Sequence, residues 1–477
     1  MATISGCVRG LAALIAFAIA GCGAPAPSGM PGPPAPLASV VTMAITEDGL
    51  RHQLDDLGAV AGESVGFRAL GSPGYDAAAS LVAGKLASAG WTVSEDRFTA
   101  PGFTDDGGSS LVLAGRTFAA GEVRPLVYAP GGSVTGPVVA IDWDPGATGP
   151  GPLGCAAADY GSLPPGAIVL VRSSQCYRRV EVLAAQEAGA AAFVAVVMGV
   201  APDSTLRPTL VSPDGLVIPA AAVSMNAARA LADIAAAGGT ARLETHAHTG
   251  PAETRTVIGE LPGERSDTVV MLGAHLDSVV DGPGMNDDGS GVAALLEIAR
   301  SLGGTRPHAT IRLAFWAGEE EGLLGSAHYV EGLGGARLGE IVAYLNADMV
   351  GSPNGFVGVY DELAAAPGSP AVRALLSAGL DRLGAMPVGL DTGGGTDHVP
   401  FRDAGVPTGG VVSGATERLT AGQAASFGGT AGVVADACYH QACDVIANVN
   451  LPLARLLVAG LADLAVRLAT SPTLVSR

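Results

Sequence analysis

Basic side chains are scarce in this chain of 477 residues: Lys and Arg number 26 against 45 Asp and Glu, which gives a net charge of −19. Because binding to nucleic acid requires clustered positive charge, a strongly acidic surface opposes it. We therefore expect no nucleic-acid partner. Cysteine is also rare, with six residues in all, and the cysteines lack the paired CxxC spacing that structural zinc sites use.

The sequence has no apolar run near its start that is long enough to span a bilayer. The run at residues 11–20 is shorter than the roughly 20 residues that a membrane-spanning helix needs. It follows Arg9 and leads into the sequence IAGC at residues 19–22. This pattern is typical of an export signal, and it resembles the lipobox of bacterial lipoproteins, in which the cysteine is lipidated. We expect a signal peptide at 1–21, a lipid anchor on Cys22 and a place in the bacterial cell envelope, on the periplasmic or cell-surface side. The alternative is an ordinary signal peptide with a chance cysteine.

Four cysteines remain if Cys7 leaves with the signal peptide and Cys22 carries the lipid. Exported proteins meet oxidising conditions, so an even number of cysteines suggests disulfides. We expect two, each between neighbours in the sequence. The four residues are Cys155, Cys176, Cys438 and Cys443.

Changes in composition divide the rest of the chain into segments. Residues 22–42 are rich in proline, which predicts an extended linker between anchor and body. Short β-rich runs separated by Gly and Pro clusters predict an inserted domain at residues 125–250. The insert would split a larger domain into residues 43–124 and 251–477.

Strand and helix signals alternate in the second part of the larger domain. The apolar runs 269–272, 311–316 and 341–345 predict strands that are buried on both faces of a sheet. Between the first two runs, residues 292–302 carry an apolar stripe at helical spacing. The pattern predicts an α/β fold: a three-layer α/β/α sandwich with a mixed, largely parallel central sheet, plus the small β-rich insert.

Potential metal ligands follow each predicted strand, and ligands bind outside the carboxyl ends of strands in such folds. Each group has an ordinary explanation as a helix cap, a dipole partner or a core histidine. Their shared position at one sheet edge favours a site. The residues are His275 and Asp277, Asp287 in an acidic turn, Glu319 and Glu320, Asp348, and His440 near the carboxyl terminus.

Several motifs then occur in a fixed order along the chain. They are GSPGYDAA (71–78), AHLDSV (274–279), GPGMNDDGSG (282–291), FWAGEEEGLLGS (315–326), LNADMVGSPN (345–354), TDHVPF (396–401) and CYHQAC (438–443). Through them the chain resembles the co-catalytic di-zinc aminopeptidases of the bacterial leucyl aminopeptidase and aminopeptidase Y type. The insert resembles a protease-associated domain.

The resemblance implies a centre that holds two zinc ions per chain. Asp287 would bridge the two ions. One ion would also bind His275 and Asp348, and the other would bind Glu320 and His440. These nitrogen and oxygen ligands suit catalytic zinc.

The resemblance also implies the catalytic groups. Glu319 would act as the general base toward a hydroxide that bridges the ions, and Tyr439 would stabilise the oxyanion. Asp277 would support His275 from behind as an outer carboxylate. Gly395 stands where some relatives carry Arg, so contacts to the substrate backbone are expected to differ.

The activity implied is hydrolysis of the N-terminal peptide bond of peptides, with a preference for apolar N-terminal residues. Partners would be peptides with a free amino terminus, and the lipid anchor would be the sole membrane contact. One alternative is a carboxypeptidase of the same fold, with Arg402 and Arg418 as anchors for the substrate carboxylate. Another is a non-catalytic surface binding protein.

Overall fold

A computed structural model describes residues 36–141, 143, 154–172, 176–197 and 201–475. The predicted signal peptide, the lipidation site Cys22 and most of the expected linker lie outside these residues. From Leu37 onward the chain forms one folded unit.

The described residues contain sixteen strands and eleven α-helices. In chain order the strands are β1 (Thr92–Asp105), β2 (Ser110–Leu113), β3 (Arg116–Phe118), β4 (Val123–Pro125), β5 (Gly132–Ile141), β6 (Ile168–Val171), β7 (Ala192–Val196), β8 (Ala220–Val223), β9 (Thr240–Thr245), β10 (Ala247–Leu261), β11 (Arg265–His275), β12 (Ala309–Trp316), β13 (Ile341–Ala347), β14 (Gly358–Tyr360), β15 (Val388–Leu390) and β16 (Thr408–Val412). The helices are α1 (Leu37–Ala44), α2 (Glu47–Glu63), α3 (Pro73–Ser88), α4 (Arg178–Glu187), α5 (Met225–Ala236), α6 (Gly289–Leu302), α7 (Leu324–Glu340), α8 (Ser369–Arg382), α9 (His398–Asp403), α10 (Ala421–Phe427) and α11 (Leu451–Thr470).

The larger domain is built on an eight-stranded sheet with the order β1-β10-β12-β11-β13-β16-β14-β15. Its central strands β12, β11, β13 and β16 run parallel, and antiparallel pairs occur at β1-β10, β10-β12 and β14-β16. The predicted mixed, largely parallel sheet is confirmed. In the β11-β12 pair, His275 lies opposite Trp316, so these two strands end at the same level.

Helices cover both faces of this sheet, because successive side chains of a buried strand point to opposite sides. In β11, Val270 and Leu272 belong to the core cluster formed with α2, α3, α6 and α11. Val269 and Met271 belong to the cluster on the other face, with Phe401 of α9 and with Tyr329 of α7 packed against it. The three-layer α/β/α sandwich is confirmed.

The insert forms a second sheet with the order β3-β2-β9-β5-β6-β7-β8-β4. Its first strand in the chain begins at Ser110, upstream of the start predicted at residue 125. The short strands β2 to β4 belong to the insert because β2 pairs with β9 and β4 pairs with β8. We therefore propose residues 110–245 as the bounds of the insert.

Helix α1 overlaps the end of the predicted linker. Helix α1 begins at Leu37, inside the segment 22–42 that was expected to be extended. The prolines of this segment end at Pro36, and the next residues bury Ala38 and Val41 against the core. Among the helices described, none combines the length and apolar character that a membrane crossing demands.

Candidate metal centre

Three parallel strands deliver the first group of predicted ligands to one edge of the sheet. His275 is the last residue of β11, Glu319 and Glu320 follow β12, and Asp348 follows β13. The ends of all three strands that lead to the site are buried, so their apolar sequences fix the level at which the polar residues emerge.

A turn before α6 supplies Asp287, and Asp288 holds this turn in place. The Asp288 carboxylate caps α6 by accepting a hydrogen bond from the Gly291 amide at 2.8 Å. It also accepts from the amides of His275 at 3.2 Å and Met349 at 3.1 Å. One buried side chain thus ties the turn to the ends of β11 and β13. Gly291 is required here, since a Cβ would lie 2.2 Å from the Ala347 carbonyl oxygen.

His440 reaches the centre from a small loop closed by a disulfide between Cys438 and Cys443. Its backbone lies in the left-handed region with φ of 56°. Asp444 connects this loop to the acidic turn, because its carboxylate accepts from the Asp287 amide at 3.0 Å. A second disulfide joins Cys155 and Cys176 in the insert.

The two carboxylate oxygens of Asp287 each face a different histidine. Oδ1 lies 3.1 Å from Nε2 of His275, and Oδ2 lies 3.1 Å from Nε2 of His440. His440 Nε2 is also 3.0 Å from Glu320 Oε2, and His275 Nε2 is 3.7 Å from Asp348 Oδ1. Neighbouring ligand atoms around a tetrahedral zinc ion with bonds of about 2.1 Å are about 3.4 Å apart. The five side chains therefore lie at distances that suit metal ligands, and Asp287 lies between the two histidines.

A second observation fits a cation at this position. Glu320 Oε1 is buried and has no hydrogen-bond partner among the described residues. Leaving a buried carboxylate oxygen unpaired costs free energy, and a bound metal ion removes that cost. The donor set contains only imidazole nitrogens and carboxylate oxygens, which matches catalytic zinc.

The carboxylates of the site raise the pKa values of its two histidines. Burial alone would lower the pKa of His440, but Glu320 and Asp287 raise it to about 10. Burial would likewise lower the pKa of His275, and Glu319, Asp287 and Asp348 raise it well above its usual value. The surrounding carboxylates thus favour the protonated, cationic form of both imidazoles. Divalent ions bound at the site would replace those protons.

Asp277 supports the site through a different route from the one expected. The Nδ1 atom of His275 lies 3.2 Å from the main-chain oxygen of Asp277 and 4.0 Å from its carboxylate. The carboxylate instead accepts hydrogen bonds from the amides of Gly318 at 2.9 Å, Glu319 at 3.2 Å and Glu320 at 3.1 Å. Asp277 therefore orients both the histidine and the turn that carries the two glutamates.

A cleft of about 280 Å³ opens over the candidate metal ligands. Glu319 and Tyr439 line it together with apolar side chains of Met349, Leu390 and Val412. Burial raises the pKa of Glu319 well above its usual value, and Asp348 and Glu320 raise it further against the lowering effect of His275. Burial and nearby carboxylates also raise the pKa of Tyr439, so its hydroxyl stays protonated and can donate a hydrogen bond.

The two arginines considered for a substrate carboxylate do not line this cleft. Arg402 donates to Glu362 at 3.2 Å and to Asp403 at 2.9 Å. Arg418 donates to the Gly432 carbonyl oxygen at 2.8 Å. Gly395 does line the cleft, so the position where some relatives carry Arg faces substrate space.

Comparison with known proteins identifies the family. Residues 256–465 match the model of peptidase family M28, and residues 134–231 match the PA domain. The chain is 34% identical to a probable lipoprotein aminopeptidase, LpqL, of Mycobacterium tuberculosis, over 93% of this chain and 90% of that protein. It is 32% identical to an aminopeptidase of Pseudomonas aeruginosa, over 83% of this chain and 76% of that one.

A solved structure shares the whole architecture. The aminopeptidase from Aneurinibacillus sp. strain AM-1 superposes with a TM-score of 0.72 at 23% identity, over 91% of this chain and 96% of that one. This chain belongs to peptidase family M28 and carries an inserted PA domain. The predicted family and the predicted protease-associated insert are confirmed.

Proposed function

We propose that this protein is a zinc-dependent aminopeptidase with two zinc ions per chain. The observation that carries the proposal is Asp287, whose two oxygens each lie 3.1 Å from the Nε2 atom of a different histidine. Its relatives in Mycobacterium tuberculosis and Pseudomonas aeruginosa, which bear the name aminopeptidase, support the same activity.

The charge of the cleft supports attack at the amino end of a peptide. Glu319 and Asp348 line the cleft, and no Lys or Arg is found among the described residues that line it. A cationic α-amino group therefore has acidic partners, whereas a substrate carboxylate would have no cationic side chain to bind. This observation disfavours the carboxypeptidase alternative.

Each catalytic step can be assigned to a side chain. Zinc ions bound by the five ligands would supply Lewis acidity and lower the pKa of water to about 7. Glu319 takes the proton from the attacking water and later passes it to the nitrogen of the leaving peptide. The Tyr439 hydroxyl donates a hydrogen bond to the carbonyl oxygen as negative charge develops there. The apolar walls formed by Met349, Leu390 and Val412 fit the apolar part of an N-terminal side chain.

A paired assay tests the function. The zinc-loaded protein should hydrolyse leucyl p-nitroanilide and leave its N-acetylated form intact, because blocking removes the positive charge that Glu319 and Asp348 attract. Metal analysis should find about two zinc ions per chain. Zinc-replete protein that binds no metal, or that cleaves only the blocked substrate, would remove the proposal and favour the binding-protein or carboxypeptidase alternative.

We also propose that the protein acts at the cell envelope, held there by a lipid on Cys22. The IAGC sequence at residues 19–22 and the named lipoprotein relative support this location. A Cys22→Ser variant should move from the membrane fraction to the soluble fraction of cells. An unchanged distribution would contradict the anchor.

A further inference from the structure

Glu417 is the carboxylate in the cleft that the proposed reaction leaves without a role. It lies in the loop between β16 and α10 and lines the same cleft as Glu319, Met349, Leu390 and Val412. Asp287, Glu320 and Asp348 are the proposed metal ligands, Glu319 moves the proton, and Glu319 and Asp348 also attract the α-amino group. Glu417 has no such assignment.

The structure holds Glu417 in one position. Its carboxylate accepts a hydrogen bond from the Ala415 amide at 2.6 Å, and its carbonyl oxygen accepts one from the Ala435 amide at 2.8 Å. Next to it, Arg418 forms a β-bridge with Val434. The loop is thereby fixed to the segment that leads into the disulfide loop of His440, so the carboxylate is preorganised relative to the metal centre.

No cation of the protein compensates this charge. Among the described residues, no Lys, Arg or His approaches Glu417 as an ion-pair partner within 4.0 Å, as the salt bridges of the chain show. The adjacent Arg418 turns to the Gly432 carbonyl oxygen instead. Glu417 is half-buried, so its charge is not fully solvated either. A half-buried anion gains from a cationic partner, and a substrate in this cleft can supply one.

We propose that Glu417 determines specificity by binding the cationic end of an N-terminal lysine or arginine side chain. The proposal rests on the aminopeptidase function proposed above and names its substrate class. The α-amino group is taken by Glu319 and Asp348, so Glu417 is available to the side chain. The methylene stem of Lys or Arg would pack against Met349, Leu390 and Val412 while its charged end reaches the acidic group, as these amphipathic side chains commonly do. The cleft then accepts long apolar residues and favours long basic ones.

The test compares lysyl with norleucyl p-nitroanilide, which differ by the ammonium group at the end of the side chain. In the zinc-loaded wild-type enzyme, kcat/KM for lysine should exceed that for norleucine by about tenfold or more, since charge-assisted hydrogen bonds are the stronger kind. Glu417→Gln should abolish that excess and leave norleucine turnover within about twofold of wild type. Calorimetric binding of free lysine and norleucine should show the same loss of discrimination.

Asp391→Asn is the matched control, because Asp391 is an exposed carboxylate on a neighbouring loop and does not line the cleft. It should leave the lysine-to-norleucine ratio unchanged. An equal ratio in wild type and Glu417→Gln would overturn the assignment while the aminopeptidase function stands. Equal loss of both substrates in Glu417→Gln would also overturn it, since Glu417 would then support the loop. Failure of the wild-type enzyme on both substrates would instead defeat the proposed function and this inference with it.

Discussion

Glu319 and Glu320 are neighbours in sequence, yet their carboxylates face different groups. Glu320 Oε2 lies 3.0 Å from His440 Nε2, inside the ligand set, whereas Glu319 lines the open cleft and approaches His275 no closer than 4.0 Å. The Asp277 carboxylate fixes both residues by accepting their amide hydrogens. Glu320 is therefore held toward the candidate ligands, and Glu319 is held toward the cleft, where it can carry a proton.

Substitution by glutamine should separate these two roles. Glu319→Gln should retain zinc and lose about 10² to 10⁴ in kcat, because proton transfer is lost and the ligands remain. Glu320→Gln should lose zinc affinity along with activity. Zinc content by atomic absorption, measured beside kcat, distinguishes the two outcomes, and Glu331→Gln on the exposed side of α7 serves as control. Full activity in Glu319→Gln would show that the base has been misassigned.

The positions of His275, Glu320 and Asp348 could be predicted from sequence because each lies at the end of a buried apolar strand, and parallel strands end at one edge. The roles of the supporting carboxylates Asp288 and Asp444 could not be predicted in this way. Asp288 has the pattern of an ordinary helix cap, and that function is real, but its hydrogen bonds to His275 and Met349 depend on strands that meet only in three dimensions. Asp444 directly follows the second cysteine of CYHQAC, and that position is the single sequence clue to its role.

Asp444 joins two short elements, the acidic turn before α6 and the disulfide loop of His440. Its Oδ1 accepts from the Asn286 amide at 2.8 Å, and its Oδ2 accepts from the Asp287 amide at 3.0 Å. Asn448 donates to the same carboxylate at 3.2 Å. The disulfide limits the shape of the loop, and Asp444 sets where the loop sits relative to the bridging ligand.

Asp444→Asn should weaken zinc binding by about tenfold or more, the usual effect of removing a group that orients ligands. An amide has one accepting oxygen in place of two, so one of the two backbone amides loses its partner. Competition with a zinc chelator gives the affinity, and Asp381→Asn on the exposed surface is the control. Unaltered affinity would mean that the disulfide alone positions His440.

The strands β2 to β4 were not predicted as part of the insert, for a physical reason. Each has only three or four residues, and β2 finds its partner in β9, which lies more than 120 residues later in the chain. Short strands of this kind carry little periodicity of their own, so tertiary pairing decides their membership. The buried strands β11, β12 and β13 of the larger domain carry their own apolar signal and were predicted.

The insert and the larger domain meet at a buried cluster of charges. Arg207 of the insert is bound to Asp281 through Nε at 3.2 Å and to Asp105 at the end of β1 at 2.7 Å. Arg124 of β4 also reaches Asp281, at 2.6 Å. Asp281 lies in the segment between the ligands His275 and Asp287. The insert thus contacts one of the loops that shape the metal centre.

Arg207→Ala should lower the free energy of unfolding by about 3 kcal/mol, because it leaves two carboxylates at a buried site with one cation fewer. Zinc affinity should fall as well, since the loop that holds Asp281 loosens. Thermal melting with and without zinc measures both effects. Arg242→Ala removes an exposed pair with Glu244 in the same insert and should change stability by less than about 1 kcal/mol. Similar melting curves for both variants would contradict the role given to Arg207.

Segments that are far apart in the chain complete the larger domain. Strand β1 pairs with β10, which follows the insert, and α1 packs against α11. The five candidate ligands also arrive in order, four by residue 348 and the last at His440. A chain that is still being synthesised therefore cannot assemble the complete set of candidate ligands until His440 is available for folding.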